Sequence, residues 1–466
     1  MFRKFIYGAV IALLCSFFIP GVHAQEITGP AGQQAASNGA GATASDVAAL
    51  EQQSREALEA GDAVRLYVAN MKLLQLRPYE PEYMINTVRA TALLDRRSTA
   101  YHHMLQMQQQ GLSFDFNSLP ETESIRDTEA YEYINNLMIE AGTPAGEGSV
   151  EWKIQHPPQD LTSVSWDASR QSVLLGSLRD GAVLAVGQDG AMSALLEANE
   201  ENGLWSITGM KADAGRNRLW IATSALPEFA AYHPTDQGRN ALLEFNLETL
   251  ELLERFDLPV DALPHRLGAL ATTENGHVYV LDHASPIIYR KAPEGEKLEV
   301  FLYSEKFDAL DAIAVTPDNS RLFVADRSTG IYVTDPVALQ ASLLSGPETL
   351  NLGGISALEY HSGNLVMIQG GISPQRIMRL TLDATGAMVA GVSPMAVNLE
   401  AFDQPGRSTL TGEDLLYVAN SATGGADAET LIMRTPLSAG SEIVAPDMRD
   451  FQKRIRANAD RQPDES

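Results

Sequence analysis

The chain is organised around one stretch, Phe307–Asp335, which reads FDALDAIAVTPDNSRLFVADRSTGIYVTD. Three short apolar runs within it, Ala312–Val315, Leu322–Ala325 and Ile331–Thr334, predict β-strands. Clusters of Pro, Asp, Asn, Ser, Thr and Gly separate the runs, and these residues favour tight turns. Because the pattern recurs along the C-terminal two thirds of the chain, a repeat architecture is the first inference.

The recurring unit is a group of four short strands. Such units, spaced by roughly 40 to 60 residues, predict a six-bladed β-propeller over residues 150–444, and the long period disfavours the alternative of one or two β-sandwiches. We expect Val150–Gln155 to pair with the last blade and close the ring. The second strands are predicted at Val173–Leu175, Leu219–Ala222, Val278–Leu281, Leu322–Ala325, Leu365–Ile368 and Leu416–Ala419. The third strands are predicted at Ala182–Val186, Ala241–Phe245, Pro286–Arg290, Ile331–Thr334, Arg376–Leu380 and Leu431–Thr435.

A small α-helical domain is predicted before the propeller, over residues 46–142. Two of its turns lie about 34 residues apart, the period typical of tetratricopeptide repeats. Residues 57–62 and 76–81 resemble the turn and repeat-end positions of that family. The resemblance implies a groove that binds another protein. Turn and cap signals place helix ends near Ala60, Leu76, Leu94 and Gln110, with a further helix at Arg126–Glu140.

The two ends of the chain read as segments outside the folded domains. Residues 1–24 have the pattern of a secretory signal peptide with cleavage after Ala24, and the apolar run is short for the alternative, a membrane anchor. Residues 25–45 are rich in Gly, Ala and Ser and predict a flexible linker, while the polar residues 445–466 predict a disordered tail. We therefore expect a bacterial protein that is periplasmic or secreted, with no membrane span after cleavage.

Charge and cysteine content narrow the chemistry. The net charge is −26, and an acidic surface repels nucleic acid and anionic lipid, so neither is expected as a partner. The only cysteine, Cys15, lies in the predicted signal peptide, which leaves the mature chain without a disulfide or a cysteine nucleophile. The sequence contains no P-loop, GxGxxG, HExxH or GxSxG motif, so nucleotide binding, zinc proteolysis and serine hydrolysis have no motif support.

The predicted channel supplies the candidate site residues. In a propeller the innermost strand of each blade lines a central channel, and ligands bind at one of its mouths. The positions that begin these strands hold one carboxylate and several hydroxyls, so a small molecule is the expected ligand there. The positions are Thr162, Thr208, Leu267, Asp311 and Ser356, with the sixth near Ser408.

Several loop residues could face the same mouth. His265 precedes the inner strand of blade three, and Gln369 and Asn420 end the second strands of blades five and six. All three are candidates for the channel, although polar residues at strand ends more often cap turns. Arg327 and Arg376 could bind a carboxylate or form ion pairs between blades. The insertion at residues 225–240 makes blade two the longest, and it could cover the mouth or equally form a surface loop.

One segment also resembles a known family. Asp311–Asp318, DAIAVTPD, followed by Leu322–Asp326, LFVAD, resembles the repeat of the senescence-marker-protein/gluconolactonase family, also called regucalcin-like, and of strictosidine-synthase-like propellers. Trp205–Thr223 and Arg266–Asp282 are weaker copies of it. The resemblance covers about residues 150–440 and implies a six-bladed propeller.

The family resemblance also implies a metal site. Lactonases of this family hold one divalent cation (Ca²⁺, Mg²⁺ or Mn²⁺) on the channel axis through oxygen ligands. The Asn ligand of the family matches Asp311, and its early Glu falls near Asp160. Its Asp ligand falls at Ile355 or Ser356, and neither is a good ligand. We therefore expect no resident cofactor, with one divalent cation on Asp311 and Asp160 as the alternative.

Two classes of function remain open at this point. The channel ring holds only one carboxylate, which favours a non-catalytic scaffold. Such a scaffold would bind a small molecule or a peptide in the channel and a protein partner on the helical domain. The alternative is a divalent-metal-dependent lactonase or related hydrolase that uses Asp311 at the channel axis. The sequence leaves open whether the protein is an enzyme.

Overall fold

The structure, a computed structural model, describes residues 27–28, 44–425 and 428–440. The predicted signal peptide, residues 1–24, and the predicted tail, residues 445–466, lie outside the described residues, as does most of the predicted linker. In the linker region Ile27–Thr28 form a two-residue strand, and the first helix already begins at Ala44. No described helix is long and apolar enough to cross a membrane.

The N-terminal part of the described chain is a helical module of residues 44–142. Its turns are those expected from the sequence: Gly61 and Gly111 adopt positive φ after the first and fourth helices, and the Asp62 side chain accepts a hydrogen bond from the Arg65 amide to cap the second helix. The last helix begins at Glu129 and not at Arg126, because Thr128 caps it through the Tyr131 amide. The helices are α1 (Ala44–Glu59), α2 (Ala63–Leu76), α3 (Pro81–Leu93), α4 (Arg97–Gln109) and α5 (Glu129–Glu140), with 3₁₀ turns at Phe116–Ser118 and Pro120–Ile125.

The rest of the described chain forms six antiparallel sheets, the blades of a β-propeller. This confirms the predicted fold class, and the resemblance of the helices to tetratricopeptide repeats stays a prediction. Three short strands precede the blades: β1 (Ile27–Thr28), β2 (Ala145–Gly146) and β3 (Ser149–Ile154). Blade one consists of β4 (Leu161–Asp167), β5 (Ser172–Ser177), β6 (Val183–Val186) and β7 (Met192–Leu196), and blade two of β8 (Ser206–Asp213), β9 (Arg218–Ser224), β10 (Asn240–Asn246) and β11 (Leu252–Asp257). Blade three consists of β12 (Leu267–Thr272), β13 (Val278–Asp282), β14 (Ile287–Lys291) and β15 (Glu299–Tyr303), and blade four of β16 (Leu310–Val315), β17 (Leu322–Asp326), β18 (Gly330–Asp335) and β19 (Gln340–Leu343). Blade five consists of β20 (Ile355–His361), β21 (Asn364–Gln369), β22 (Arg376–Leu382) and β23 (Val389–Val397), and blade six begins with β24 (Gly406–Thr411), β25 (Asp414–Val418) and β26 (Thr430–Pro436).

The N-terminal strand β3 completes blade six. It pairs with β26, with Trp152 opposite Ile432, and so supplies the fourth strand of that blade. The predicted closure of the ring by Val150–Gln155 is thereby confirmed. Joining the two ends of the propeller in one sheet removes an edge strand that would otherwise be free to pair with another chain.

The hydrophobic core lies between neighbouring blades. One cluster joins blades three and four and includes Tyr279, Phe301 and Leu322, and comparable clusters occupy the other interblade spaces. The second strand of each blade is therefore covered on both faces, as in β13, where all five residues are buried. Burial on both faces explains why these strands read as continuous apolar runs without alternation.

The helical module docks on blades four and five, on the face from which the inner strands start. The guanidinium of Arg77 lies 2.8 Å from the Asp308 carboxylate, just before β16. The Arg376 guanidinium of blade five donates to the carbonyl groups of Gln110 and Gly111 at 3.1 Å. The module therefore lies beside one mouth of the channel.

Candidate functional site

Every inner strand carries an irregularity close to its start. The pairing register with the second strand shifts there in all six blades, so at least one residue has no partner. Such a bulge redirects the side chain of the extra residue. These positions surround a cavity of about 420 Å³. In five blades the single bulge residue lines the cavity, and in blade three, where the bulge has two residues, Ala269 lines it. The bulge residues are Thr162, Thr208, Gly268 with Ala269, Asp311, Ser356 and Arg407.

This ring corrects two of the positions expected from the sequence. Leu267 is fully buried in the core between blades two and three, so the blade-three position belongs to Gly268 and Ala269. The blade-six position is Arg407, while its neighbour Ser408 lies one residue further along the cavity wall. Thr162, Thr208, Asp311 and Ser356 line the cavity where they were expected.

The ring hydroxyls are already committed as hydrogen-bond donors. Thr162 Oγ1 donates to the Ile207 carbonyl at 2.6 Å, and Ser356 Oγ donates to the Pro405 carbonyl at 2.6 Å. Both bonds join one blade to the next. Because a hydroxyl has a single proton, these oxygens can offer a ligand only their lone pairs.

His283 fills the place left by Gly268. A Cβ on Gly268 would lie 1.7 Å from the imidazole Cδ2, so only glycine fits beneath this ring. Nε2 of His283 accepts a hydrogen bond from the Ala269 amide at 3.1 Å, which places the proton of the neutral ring on Nδ1. Burial lowers the pKa of His283, and the charge of Arg266 lowers it further. The ring is thus a neutral wall of the cavity.

The single ring carboxylate is neutralised by an arginine. Nε of Arg327 lies 2.7 Å from Oδ2 of Asp311, and this hydrogen bond raises the pKa of Arg327. The charge of Glu80, in the loop between α2 and α3, acts on Arg327 in the same direction. Asp311 is therefore one half of an ion pair beside the helical module.

Two further arginines line the cavity without such a partner. Arg266 lies on blade three and Arg407 on blade six, on opposite sides of a six-bladed ring. Among the described residues, no carboxylate lies within ion-pair distance of either guanidinium. Burial lowers the pKa of Arg407 to about 10, so it remains charged near neutral pH. The mouth is cationic in a protein whose net charge is −26.

An ion pair crosses the channel further in. Nζ of Lys211 on blade two lies 3.7 Å from Oε2 of Glu359 on the opposite blade five. Ser408 Oγ donates to the other carboxylate oxygen at 3.1 Å. Both charged residues lie near the far ends of their inner strands, so the pair narrows the cavity away from the helical module.

His265 does not face the cavity. Its Nδ1 lies 2.6 Å from the Asp282 carboxylate and its Nε2 lies 3.1 Å from the Asp261 carboxylate, and the side chain is 3% exposed. Asp282 also accepts hydrogen bonds from the amides that follow β13. The histidine is part of a buried turn, whereas its neighbour Arg266 lines the channel.

Gln369 and Asn420 are also engaged in turns. The Gln369 amide nitrogen donates to the Gly353 carbonyl at 2.7 Å, and its oxygen accepts from Arg376 Nε at 2.7 Å. The Asn420 side chain accepts from the Leu431 amide at 2.9 Å. Neither residue lines the cavity. Their positions at strand ends are explained by turn formation.

The residues present do not fit the divalent cation that the family resemblance implies. Asp311 is held by Arg327, the Ser356 hydroxyl points its proton at a carbonyl, and Asp160 is not among the lining residues, although Gln159 is. Within residues 44–425 and 428–440, no group of three or more His, Cys, Asp or Glu could hold a metal. A hard dication needs several oxygen ligands in one place.

The insertion in blade two borders the cavity. Leu226 lines it, while Phe229 is buried and a Cβ on Gly181 of blade one would lie 2.9 Å from its ring. Leu178, which follows β5 in blade one, lines the cavity beside Leu226. The start of the insertion therefore lies at the mouth.

Comparison with known proteins gives a likeness in fold only. No family model matches the chain, and no curated protein matches its sequence. Similar solved structures include a PQQ-bound aldose sugar dehydrogenase from Streptomyces coelicolor (14% identity, 63% of this chain and 100% of that one, TM-score 0.43). A gluconolactonase from Xanthomonas campestris is 14% identical over 62% of this chain and 89% of its own, with a TM-score of 0.42. A putative glucose dehydrogenase from Thermus thermophilus is 14% identical over 62% of this chain and 100% of its own, with a TM-score of 0.42. At these values we draw nothing from them about activity or ligand.

Proposed function

We propose that the protein is a non-catalytic binding protein whose channel mouth takes a small organic acid. The observation that carries this proposal is the pair of arginines without carboxylate partners, Arg266 and Arg407, on opposite sides of the cavity. Arginine binds carboxylates through parallel hydrogen bonds in a fixed geometry. A cationic mouth on an acidic protein also attracts anions selectively to this one place.

The cavity suits a small molecule. Its volume of about 420 Å³ lies in the range typical of small-ligand sites. The carboxylate of a ligand would lie between the two arginines, and Thr162, Ser356 and Asp311 offer oxygen lone pairs to any ligand hydroxyl. The ion pair of Lys211 and Glu359 would limit how deep the ligand enters.

Calorimetric titration of the protein with benzoate tests this proposal. We expect benzoate to bind and neutral benzamide not to bind. Arg266→Gln and Arg407→Gln should each weaken benzoate binding about tenfold, which corresponds to about 1.4 kcal/mol. Arg55→Gln, on an exposed face of α1, is the control and should bind like the wild type. Absence of benzoate binding at millimolar concentration, or wild-type affinity for benzoate in both arginine variants, would overturn the proposal.

A metal-dependent lactonase or hydrolase is the second candidate. Asp311 favours it, because this carboxylate occupies the ring position where the family resemblance implies a metal ligand. Calorimetric titration with Ca²⁺, Mn²⁺ and Zn²⁺ separates the two functions. Tight binding that Asp311→Ala abolishes would support the hydrolase, whereas no binding at millimolar metal would rule out this metal site.

We also infer export and a protein partner. The charge and apolar pattern of residues 1–24 supports secretion, and the helical module offers a second surface beside the channel mouth. Mass spectrometry of the protein from a periplasmic or culture fraction should find Gln25 at its N-terminus. An intact Met1 in those fractions would contradict the predicted cleavage.

A further inference from the structure

The wall of the cavity mouth differs from one side to the other. Leu178 on blade one and Leu226 on blade two line it, both are half-buried, and neither belongs to an interblade core cluster. They are apolar groups whose free surface faces the cavity. Because part of each leucine side chain stays accessible at the cavity, the pair offers apolar surface to a ligand.

The residue that directly follows the second strand differs among the blades. It is Leu178 in blade one, Ala225 in blade two, His283 in blade three, Arg327 in blade four, Gly370 in blade five and Ala419 in blade six. In blade two, Leu226 lies just beyond the end of β9. The mouth thus has two leucines on the side of blades one and two, whereas the arginines without carboxylate partners, Arg266 and Arg407, lie on blades three and six.

We propose that the ligand is an amphipathic acid whose compact apolar group lies against Leu178 and Leu226. This inference rests on the proposed function, since the carboxylate is held by Arg266 and Arg407. Each methylene that the two leucines remove from water tightens binding by about fourfold. The cavity of about 420 Å³ accommodates an acid whose apolar group is a short alkyl chain or one ring.

A polyhydroxy acid of the same length fits this wall less well. Its hydroxyls over Leu178 and Leu226 would lose water without gaining a partner, which is unfavourable. The hydroxyls of Thr162 and Ser356 cannot donate to it, because both already donate to backbone carbonyls. Hexanoate and gluconate both have six carbons, so they separate the two ligand types without a change in chain length.

The test is a calorimetric titration of the full-length protein with acetate, butyrate, hexanoate and gluconate. We expect affinity to rise along the alkyl series, with hexanoate at least tenfold tighter than acetate and tighter than gluconate. Leu178→Asn and Leu226→Asn should flatten the series while acetate binding is unchanged. Leu253→Asn, at an exposed leucine of β11 away from the channel, is the matched control. Circular dichroism establishes that each variant is folded.

The possible outcomes distinguish this inference from the proposed function. If all four acids bind with similar affinity and Arg407→Gln weakens the binding of each, the inference of an amphipathic ligand is wrong, while the proposed acid-binding site is supported. If gluconate binds more tightly than hexanoate, the apolar wall does not select the ligand. If no acid binds, or if Arg266→Gln and Arg407→Gln change nothing, the proposed function fails and the inference fails with it.

Discussion

His283 lies directly over the Cα of Gly268, so that a Cβ on this glycine would come within 1.7 Å of the imidazole Cδ2. The histidine comes from the end of the second strand and the glycine from the bulge of the inner strand in the same blade. The place that a side chain occupies in the other five blades is therefore filled by a ring that folds in from the neighbouring strand.

Gly268→Ala should consequently destabilise the protein. The imidazole accepts a hydrogen bond from the Ala269 amide, which it would lose by moving aside, and overpacking of this kind costs about 1 to 3 kcal/mol. Urea denaturation measures the loss. Gly215→Ala is the control, because the nearest atom to its Cβ would be 3.7 Å away. The double variant Gly268→Ala/His283→Ala should lose less than the sum of the single variants, and strict additivity would contradict the packing described here.

The cross-channel pair of Lys211 and Glu359 should stabilise the propeller measurably. Both side chains are largely buried, at 29% and 13% exposure, and a double-mutant cycle with Lys211→Met and Glu359→Gln should give about 0.5 to 1 kcal/mol of coupling. Lys297 and Glu299 form a matched control pair at the same 3.7 Å distance, but they are 76% and 49% exposed. Equal coupling free energies in the two pairs would mean that the burial of Lys211 and Glu359 in the channel does not strengthen their interaction.

The propeller could be predicted because its blades repeat the same pattern of apolar runs and turn residues in the sequence. Second strands such as Val278–Asp282 are buried on both faces, so each appears as an apolar run between turn residues. Pairing of Ser149–Ile154 with the last blade was equally predictable, since a closed ring needs a fourth strand there. Long-period repetition thus fixes blade number and strand order without any knowledge of the site.

The site was less predictable because it depends on single-residue irregularities. A bulge shifts the register by one position, which is why Leu267 was assigned to the ring in place of Gly268. His283 reaches the cavity from a second strand, and only the glycine opposite could have indicated it. Arg407 was missed because blade six gave no clear strand start, and no sequence pattern shows that it lacks a carboxylate partner.

Arg376 should be essential for the docking of the helical module on the propeller. Burial lowers the pKa of Arg376 to about 10, and its guanidinium donates to Gln369, Gln110 and Gly111. Arg376→Met leaves these acceptors without a donor and should cost about 2 to 4 kcal/mol. Limited proteolysis should then separate the helical module from the propeller at shorter digestion times than in the control variant Arg55→Gln. Unchanged proteolysis and stability would show that the module stays docked without the hydrogen bonds of Arg376.

The burial of His283 should also make stability depend on pH. Because burial lowers the pKa of His283, the unfolded chain binds a proton more readily than the folded protein below the ordinary histidine value of about 6.5. The stabilising contribution is therefore complete above that value and is lost as the pH falls below it.

Urea denaturation at pH 7.5 and pH 5.5 measures this effect. The wild type should lose more free energy of unfolding between the two pH values than His283→Gln, although the variant is less stable at both. His103 and His277 also have a lowered pKa through burial, so part of the pH dependence should persist in the variant. His102→Gln, at an exposed position on α4, is the control and should keep the wild-type pH dependence. Equal losses in the wild type and in His283→Gln would show that His283 titrates in the folded protein as it does in the unfolded chain.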